Sequence, residues 1–353
     1  MYCPKCGTQN ADDAQICTSC GYVFSGATPA GEPAPLKVKT SGLAIAAFVL
    51  GILSILTVGL TAVPAIVVGI VALAAIGRSG GRLAGRAFAV LGIVLPVGSI
   101  FFVALLMAIL MPALSRARMQ ARNLMCQSNL KQWGVIWVMY TNDNNGKFID
   151  RYGAGSRWMD SLKDYCAGEE SFWLCPVAAK IANPEMTPGV DWWGKTFVAW
   201  GKIPSQYPDG RTDSLYGSYG VNGYIYVPAT ASASSLQPPE RFWRTPNVRL
   251  AHVTPLILDC YFWEGWVESD DTPPQHSDWQ DRSDTNAMNR YCLDRHRQRI
   301  NAAFLDYSVR PVDLKELWTL NWHKGYDRAG PWTRAGGVRS GDWPQWMRNM
   351  KEY

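Results

Sequence analysis

Residues 43–76 carry no charged side chain, and neither do residues 87–111. Runs this long and apolar predict membrane segments rather than the core of a soluble domain. One straight helix over 43–76 would be about 50 Å long, against roughly 30 Å of hydrocarbon. Gly59 and Pro64 stand near its middle. The run is therefore read as two short helices, about 43–58 and 62–77, joined as a hairpin. Arg78 to Arg86 form a basic polar loop, and residues 87–111 form a third span. With three spans, Lys37, Lys39, Arg78, Arg82 and Arg86 share one side, and Arg116, Arg118 and Arg122 lie on the other. With two spans the loop changes side, but the count is again five against three, so the positive-inside rule does not choose. Helix length and Pro64 favour three.

A cysteine-rich module precedes these spans, which excludes a cleavable signal peptide there. Of the nine Cys, four fall in the first 20 residues: Cys3, Cys6, Cys17 and Cys20. They form C-x2-C, ten residues, then C-x2-C. Gly7 and Gly21 follow the second Cys of each pair, where a tight knuckle needs a positive φ. Two knuckles offer four thiolates, the set that closed structural Zn2+ sites use. So short a segment builds no core of its own, and the metal supplies its folding free energy. Residues 1–24 thus read as a zinc ribbon, followed by a Pro/Gly/Ala linker over 25–41. Lys5 is balanced by Asp12 and Asp13, and the chain's net charge is only +5, so no nucleic-acid partner is expected. A reduced ribbon suits the cytoplasm.

After Pro112 the helical pattern continues but turns amphipathic. Cys126, Leu130, Trp133, Trp137 and Tyr140 recur at helical spacing, with Ser128, Asn129, Lys131 and Gln132 between them. The helix is expected to end near 141, before Asn142-Asp143-Asn144-Asn145-Gly146. A membrane helix that leaves the bilayer with one apolar face needs a sheet to lie against. Candidate strands are 196–200, 218–227, 248–261 and 299–306, in a small antiparallel sheet with long loops. The fold class is therefore an α+β membrane protein, with residues 112–353 as its large domain.

Pro112-Ala-Leu-Ser-Arg-Ala-Arg118, Ala121-Arg122, Cys126, Ser128-Asn-Leu-Lys-Gln132, Gly134, Met139-Tyr140 and Asp143-Asn144 resemble the N-terminal helix of a bacterial pseudopilin-like family. That family is abundant in planctomycetes and verrucomicrobia and is similar to the major pseudopilin of type II secretion. Leu174-Cys175-Pro176, Ser218-Tyr-Gly-Val-Asn-Gly-Tyr224, and Arg295-His296 followed nine residues later by Asp306 resemble its later motifs. The resemblance covers roughly residues 100–320, and residues 42–105 resemble a small multi-pass domain that often follows zinc ribbons. Two departures stand out. The membrane helix has no Gly-Phe cleavage site and no acid before Arg116, and Tyr307 replaces the Gly of the final Asp-Gly. The resemblance therefore implies an anchored monomer or small oligomer rather than a filament subunit.

Five further cysteines remain. In an oxidising compartment four can pair, as Cys166 with Cys175 and Cys260 with Cys292, leaving Cys126 on the helix face; the connectivity stays open. His296 and Asp306 are read as structural, fixing a turn, since no nucleophile elbow or H-E-x-x-H accompanies them. Glu268, Asp270, Asp271, Asp278, Asp281 and Asp284 could hold Ca2+, although no EF-hand spacing is present. All 16 Trp follow residue 130, and those in loop-like sequence (Trp192, Trp193, Trp263, Trp266, Trp279, Trp332, Trp343, Trp346) could stack on sugars. The expected function is a non-enzymatic, membrane-anchored structural or interaction protein of the bacterial envelope. Its ribbon would lie in the cytoplasm, its large domain outside the inner membrane, and its partners would be lipid and envelope proteins. An envelope-polysaccharide binder and a hydrolase are the alternatives.

Overall fold

The computed structural model describes residues 1–24, 39–57, 60–150, 157–188, 190–206, 212–228, 237–278 and 285–353. The linker over 25–38, Gly59, Trp279, Asp281 and Asp284 lie outside them. The chain divides into two compact units, Met1–Ala113 and Leu114–Tyr353.

In the first unit the apolar run breaks into α1 (Gly42–Leu56) and α2 (Ala62–Arg78). The third helix, α3, starts at Arg86 and runs unbroken to Asp143, through Pro96 and Pro112. Among the described residues α3 is the one helix long and apolar enough to cross a membrane; α1 and α2 are shorter apolar helices. Two-residue strands ahead of α1 and α3 pair in parallel, Lys39 with Leu83 and Thr40 with Ala84. α1 and α3 therefore start at the same end.

Small residues make this packing. The buried positions are Ala44, Ala47, Gly51 and Ser54 on α1, Ala62, Ala65, Gly69 and Ala72 on α2, and Ala89, Gly92 and Pro96 on α3. A Cβ on Gly92 would lie 2.6 Å from the backbone carbonyl carbon of Ala47, and one on Gly69 would lie 2.6 Å from Ile93. The large apolar side chains point the other way: Leu43, Val49, Ile52, Ile55, Val67, Phe101 and Leu110 are all exposed. Helices associate this way where no hydrophobic effect separates Leu from its surroundings, so that close backbone approach provides the attraction. Gly92→Leu should therefore push α1 off α3, because backbone atoms stand in the way. Ser54 and Ser99 lie Oγ to Oγ at 3.4 Å. A Ser54→Cys/Ser99→Cys pair should cross-link efficiently, and adding Gly92→Leu should reduce the yield severalfold.

In the second unit α3 continues as the amphipathic helix, with Cys126, Leu130, Trp133, Ile136 and Trp137 buried. Five strands form one sheet. In chain order the strands of the unit are β1 (Lys180–Ile181), β2 (Val198–Gln206), β3 (Thr212–Gly217), β4 (Tyr219–Asn222), β5 (Pro255–Asp259), β6 (Glu264–Gly265), β7 (Arg299–Phe304) and β8 (Val309–Asp313). The large sheet runs β8-β7-β5-β4-β6, antiparallel except for the short β4–β6 pair, and β1-β2-β3 form a second sheet. Side chains alternate across the large sheet. Tyr219, Val221, Ile257 and Ala303 join the core that holds the α3 residues. Leu258, Ala302, Phe304 and Val312 join another with Leu314, Trp318, Trp322, Trp343 and Met347. The sheet therefore has the helix over one face and the loop-rich C-terminal segment over the other.

All four candidate strands differ in length from the sequence reading, and 299–306 ends at Phe304. The segment 248–261 shortens to Pro255–Asp259, with Pro at the first position, where its missing N–H is tolerated. The 218–227 strand stops at Asn222, whose side chain accepts the Tyr224 N–H and turns the chain. The 196–200 strand instead lengthens to Gln206. After β7, Tyr307 takes φ +62°, the left-handed value that an Asp-Gly turn gives to its Gly. Its hydroxyl lies 3.4 Å from Thr141 on α3, so the ring is kept for packing.

Candidate metal centres

At the N-terminus, short bridges between Tyr2 and Gln9 and between Ile16 and Val23 hold the two knuckles. Gly7 and Gly21 take φ +72° and +71°, and each N–H returns to the carbonyl of the first Cys of its pair. This closure points the four thiols inward. Cys3 and Cys20 lie Sγ to Sγ at 3.7 Å, Cys6 and Cys17 at 3.6 Å, and all four sulfurs are within 4.8 Å of one another. Tetrahedral Zn–S bonds of about 2.3 Å require sulfur separations of about 3.8 Å. The donor set therefore fits a structural zinc. The Asn10 amide donates to Cys17 Sγ while its carbonyl oxygen accepts the Thr18 N–H, an outer shell of the kind that orients ligands. Backbone N–H groups of Ser19 and Cys20 lower the Cys17 thiol to about 6, toward the thiolate that a metal needs.

A second convergence lies in the other unit. Cys126 of α3, Cys175 in the loop after the helix, Asp259 at the end of β5 and His296 before β7 place one ligand atom each within 4.8 Å of the others. All four are buried. Both Asp259 oxygens lie 3.6 Å from Cys126 Sγ, Cys175 Sγ is 3.4 Å from His296 Nε2, and that nitrogen is 3.2 Å from Asp259 Oδ2.

The fold delivers each of these residues by a specific contact. The Asn129 amide on α3 donates to the Leu174 carbonyl at 2.9 Å, setting the loop that carries Cys175. The Asn301 amide of β7 donates to Asn123 of α3 at 2.7 Å. His296 opens a tight turn whose central residues, Arg297 and Gln298, both take positive φ. Around the four ligands, fully buried Arg295 donates to Asp259 Oδ1 at 2.9 Å and to the Thr196 and Ser218 carbonyls. The Asn301 N–H donates to Asp259 Oδ2, and the Tyr219 hydroxyl to Cys126.

Burial opposes every charge here. The Cys175 thiol is nevertheless lowered to about 6, because Cys126 donates to it and His296 and Arg295 face it. Cys126 itself is raised by burial and by its Cys175 and Asp259 neighbours. Burial also works against the His296 imidazolium, but the Asp259 carboxylate outweighs it and raises the group to about 9. Asp259 lies well below the usual carboxylate range, since His296 and Arg295 overcome its burial.

The arrangement is not that of a nucleophile–base–acid chain. In such a chain the sulfur and the carboxylate use different ring nitrogens. Here both approach Nε2, and Nδ1 has no hydrogen-bond partner among the described residues. The polar cleft lined by His296, Arg116, Arg297 and Arg299 does not have either sulfur in its lining.

Other sequence expectations sort differently. Asp306 is exposed and fixes the turn after β7 by accepting from the Ser308 N–H and hydroxyl, while His296 is withdrawn into the buried cluster. Cys166, Cys175, Cys260 and Cys292 are free buried thiols, so neither expected disulfide is formed in the structure, and Cys175 meets Cys126 instead. The acidic segment does not gather a calcium set among its described residues. Glu268 is taken by Arg241, Tyr224 and His323, and Asp271 accepts the Glu268 and Met288 N–H groups. Among the described Trp only Trp192 is exposed. Of the other loop Trp named above, Trp343 is buried and Trp193, Trp263, Trp266, Trp332 and Trp346 are half-buried, with Trp193 stacked on Phe262 at 3.8 Å.

Asp271 supplies a pH signature. Burial, against its two N–H donors, raises it to about 7 from 3.8. A raised acid stabilises the fold fully below the unfolded value, and that contribution is lost as pH rises through the folded one. Asp271→Asn should leave the thermal midpoint unchanged near pH 4 relative to wild type. By pH 8 it should gain stability, at most about 4 kcal/mol. Paired melts across that window read the difference.

Residues 2–24 match the family model described as a zinc-ribbon domain. No curated protein and no solved structure matches the chain. The N-terminal segment of this protein is a zinc ribbon.

Proposed function

We propose that the chain is a non-enzymatic, membrane-anchored structural and interaction protein of the bacterial envelope, with its ribbon in the cytoplasm and its large unit outside. The observation that carries this reading is α3. One uninterrupted helix is apolar and outward-facing over residues 100–111 and becomes a core helix by residue 126. A surface of exposed Phe, Leu, Ile and Met this large calls for lipid. The small-residue seams among α1, α2 and α3 support the same reading.

Topology then depends on α3 alone. The α1–α2 hairpin returns to its starting side whether it crosses or only dips, because Lys39 and Thr40 pair with Leu83 and Ala84. Lys39, Arg78, Arg82 and Arg86 thus share one side, four against Arg116, Arg118 and Arg122, which favours a cytoplasmic ribbon. The resemblance to pseudopilin-like proteins supports an envelope role for residues 112–353.

Side-specific labelling tests this reading. Asn349→Cys and Ala11→Cys sit on exposed positions of the two units. In intact cells a membrane-impermeant maleimide should label the first and reach the second only after permeabilisation. Labelling of neither before permeabilisation would mean that α3 does not cross, and would end the proposal.

A further inference from the structure

The geometry points to a second bound metal: a closed structural zinc held by Cys126, Cys175, Asp259 and His296 inside the large unit. Four donors from four separate segments converge, with their ligand atoms all within 4.8 Å of one another. Their spacing is that of a coordination sphere. Bonds of about 2.3 Å to sulfur and about 2.0 Å to nitrogen or oxygen give tetrahedral edges of about 3.5 Å for S–N and S–O and about 3.3 Å for N–O. The corresponding separations are 3.4, 3.6 and 3.2 Å. They match as well as those of the zinc-ribbon sulfurs do, although no local sequence motif sets them.

The donor chemistry selects the metal class. Two thiolates, an imidazole and a carboxylate suit zinc, whereas calcium and magnesium take oxygen ligands. Charge closes as well. Two thiolates and Asp259 bring three negative charges, Zn2+ brings two positive, and buried Arg295 brings the third. Binding displaces to solvent whatever protons the two sulfurs and His296 hold, and needs no oxidant. Four protein donors fill a tetrahedral sphere and leave no open position for substrate, which makes the site structural rather than catalytic.

The site would tie α3, the Cys175 loop, β5 and the turn before β7 together at one atom. It would also hold Cys126 and Cys175 as thiolates that do not oxidise to a disulfide outside the membrane. The inference does not depend on which side the unit occupies.

The test uses the full chain purified in detergent without added metal, with zinc counted per chain. Wild type should carry two equivalents. Cys6→Ser/Cys17→Ser, which disables the ribbon, should keep one. Zinc X-ray absorption of that variant should show two sulfur and two nitrogen or oxygen neighbours in place of four sulfurs. Adding Cys175→Ser should remove the remaining metal, and Asp306→Asn, outside the cluster, should not. Zinc at one equivalent in wild type and none in the folded ribbon variant would overturn the assignment. So would an intact mass two hydrogens light, mapped to a Cys126–Cys175 disulfide. The ribbon variant leaves the large unit untouched, so misfolding of cluster variants cannot mask the result.

Discussion

Asp259→Asn should lower the unfolding free energy of the large unit by about 3–5 kcal/mol, the cost of breaking a buried ion pair from one side. Asp259 and Arg295 are both fully buried at 2.9 Å. Asparagine keeps the volume and can still accept from the Asn301 N–H. It leaves the Arg295 guanidinium with carbonyl partners but no counter-charge, and it removes the carboxylate that faces His296. Denaturation of the full chain kept metal-free with a chelator, followed by tryptophan fluorescence, measures the loss without the contribution of a bound ion. A companion separates charge from packing. Asp259→Asn/Arg295→Met removes both charges and should recover a substantial part of the stability, since uncompensated charge costs more than its absence. An Asp259→Asn chain as stable as wild type would show that the pair is not a buried ion pair.

The second large effect is expected at Trp133→Ala, about 3–5 kcal/mol. Trp133 lies at the centre of the helix–sheet core, 1% exposed. Its ring meets Trp158 edge to face at 4.8 Å and Phe172 at 5.0 Å, and Trp173 lies at 6.0 Å. Truncation leaves a cavity that surrounding rings cannot close, because each is fixed by others. The indole Nε1 has no hydrogen-bond partner among the described residues. Trp133→Phe should therefore cost only about 1.5 kcal/mol or less, as it keeps an aromatic ring and strands no acceptor. Equal losses for Ala and Phe would mean that the indole N–H, rather than the ring, is what the core needs.

The helix face is where sequence and structure agree most closely. Cys126, Leu130, Trp133 and Trp137 follow a 3.6-residue period, and all four are buried with Tyr140 half-buried beside them. The break of the apolar run into α1 and α2 was legible for a similar reason, since length and Pro64 are local facts. Strand ends were less so. Pro255 and Asn222 set them through hydrogen bonds that depend on neighbours elsewhere in the chain. The turn before β7 was hidden because Arg297 and Gln298 occupy positive-φ positions that Asn-Gly would normally announce.

The two metal centres divide along the same line. The ribbon was readable because its four cysteines lie within 18 consecutive residues. At that range knuckle geometry alone brings the sulfurs together. Cys126, Cys175, Asp259 and His296 are spread over 170 residues, and although three of them fall in stretches that resemble family motifs, no metal-ligand spacing links them along the chain. Cys175 looked like a disulfide partner and His296 like half of a pair with Asp306, because neighbours along the chain are all that a sequence shows. Composition and periodicity determined the ribbon, the apolar helices and the buried face of α3. Only tertiary structure decided which thiols meet, since bringing ligands from a helix, two loops and a strand to one point requires the whole sheet to form first.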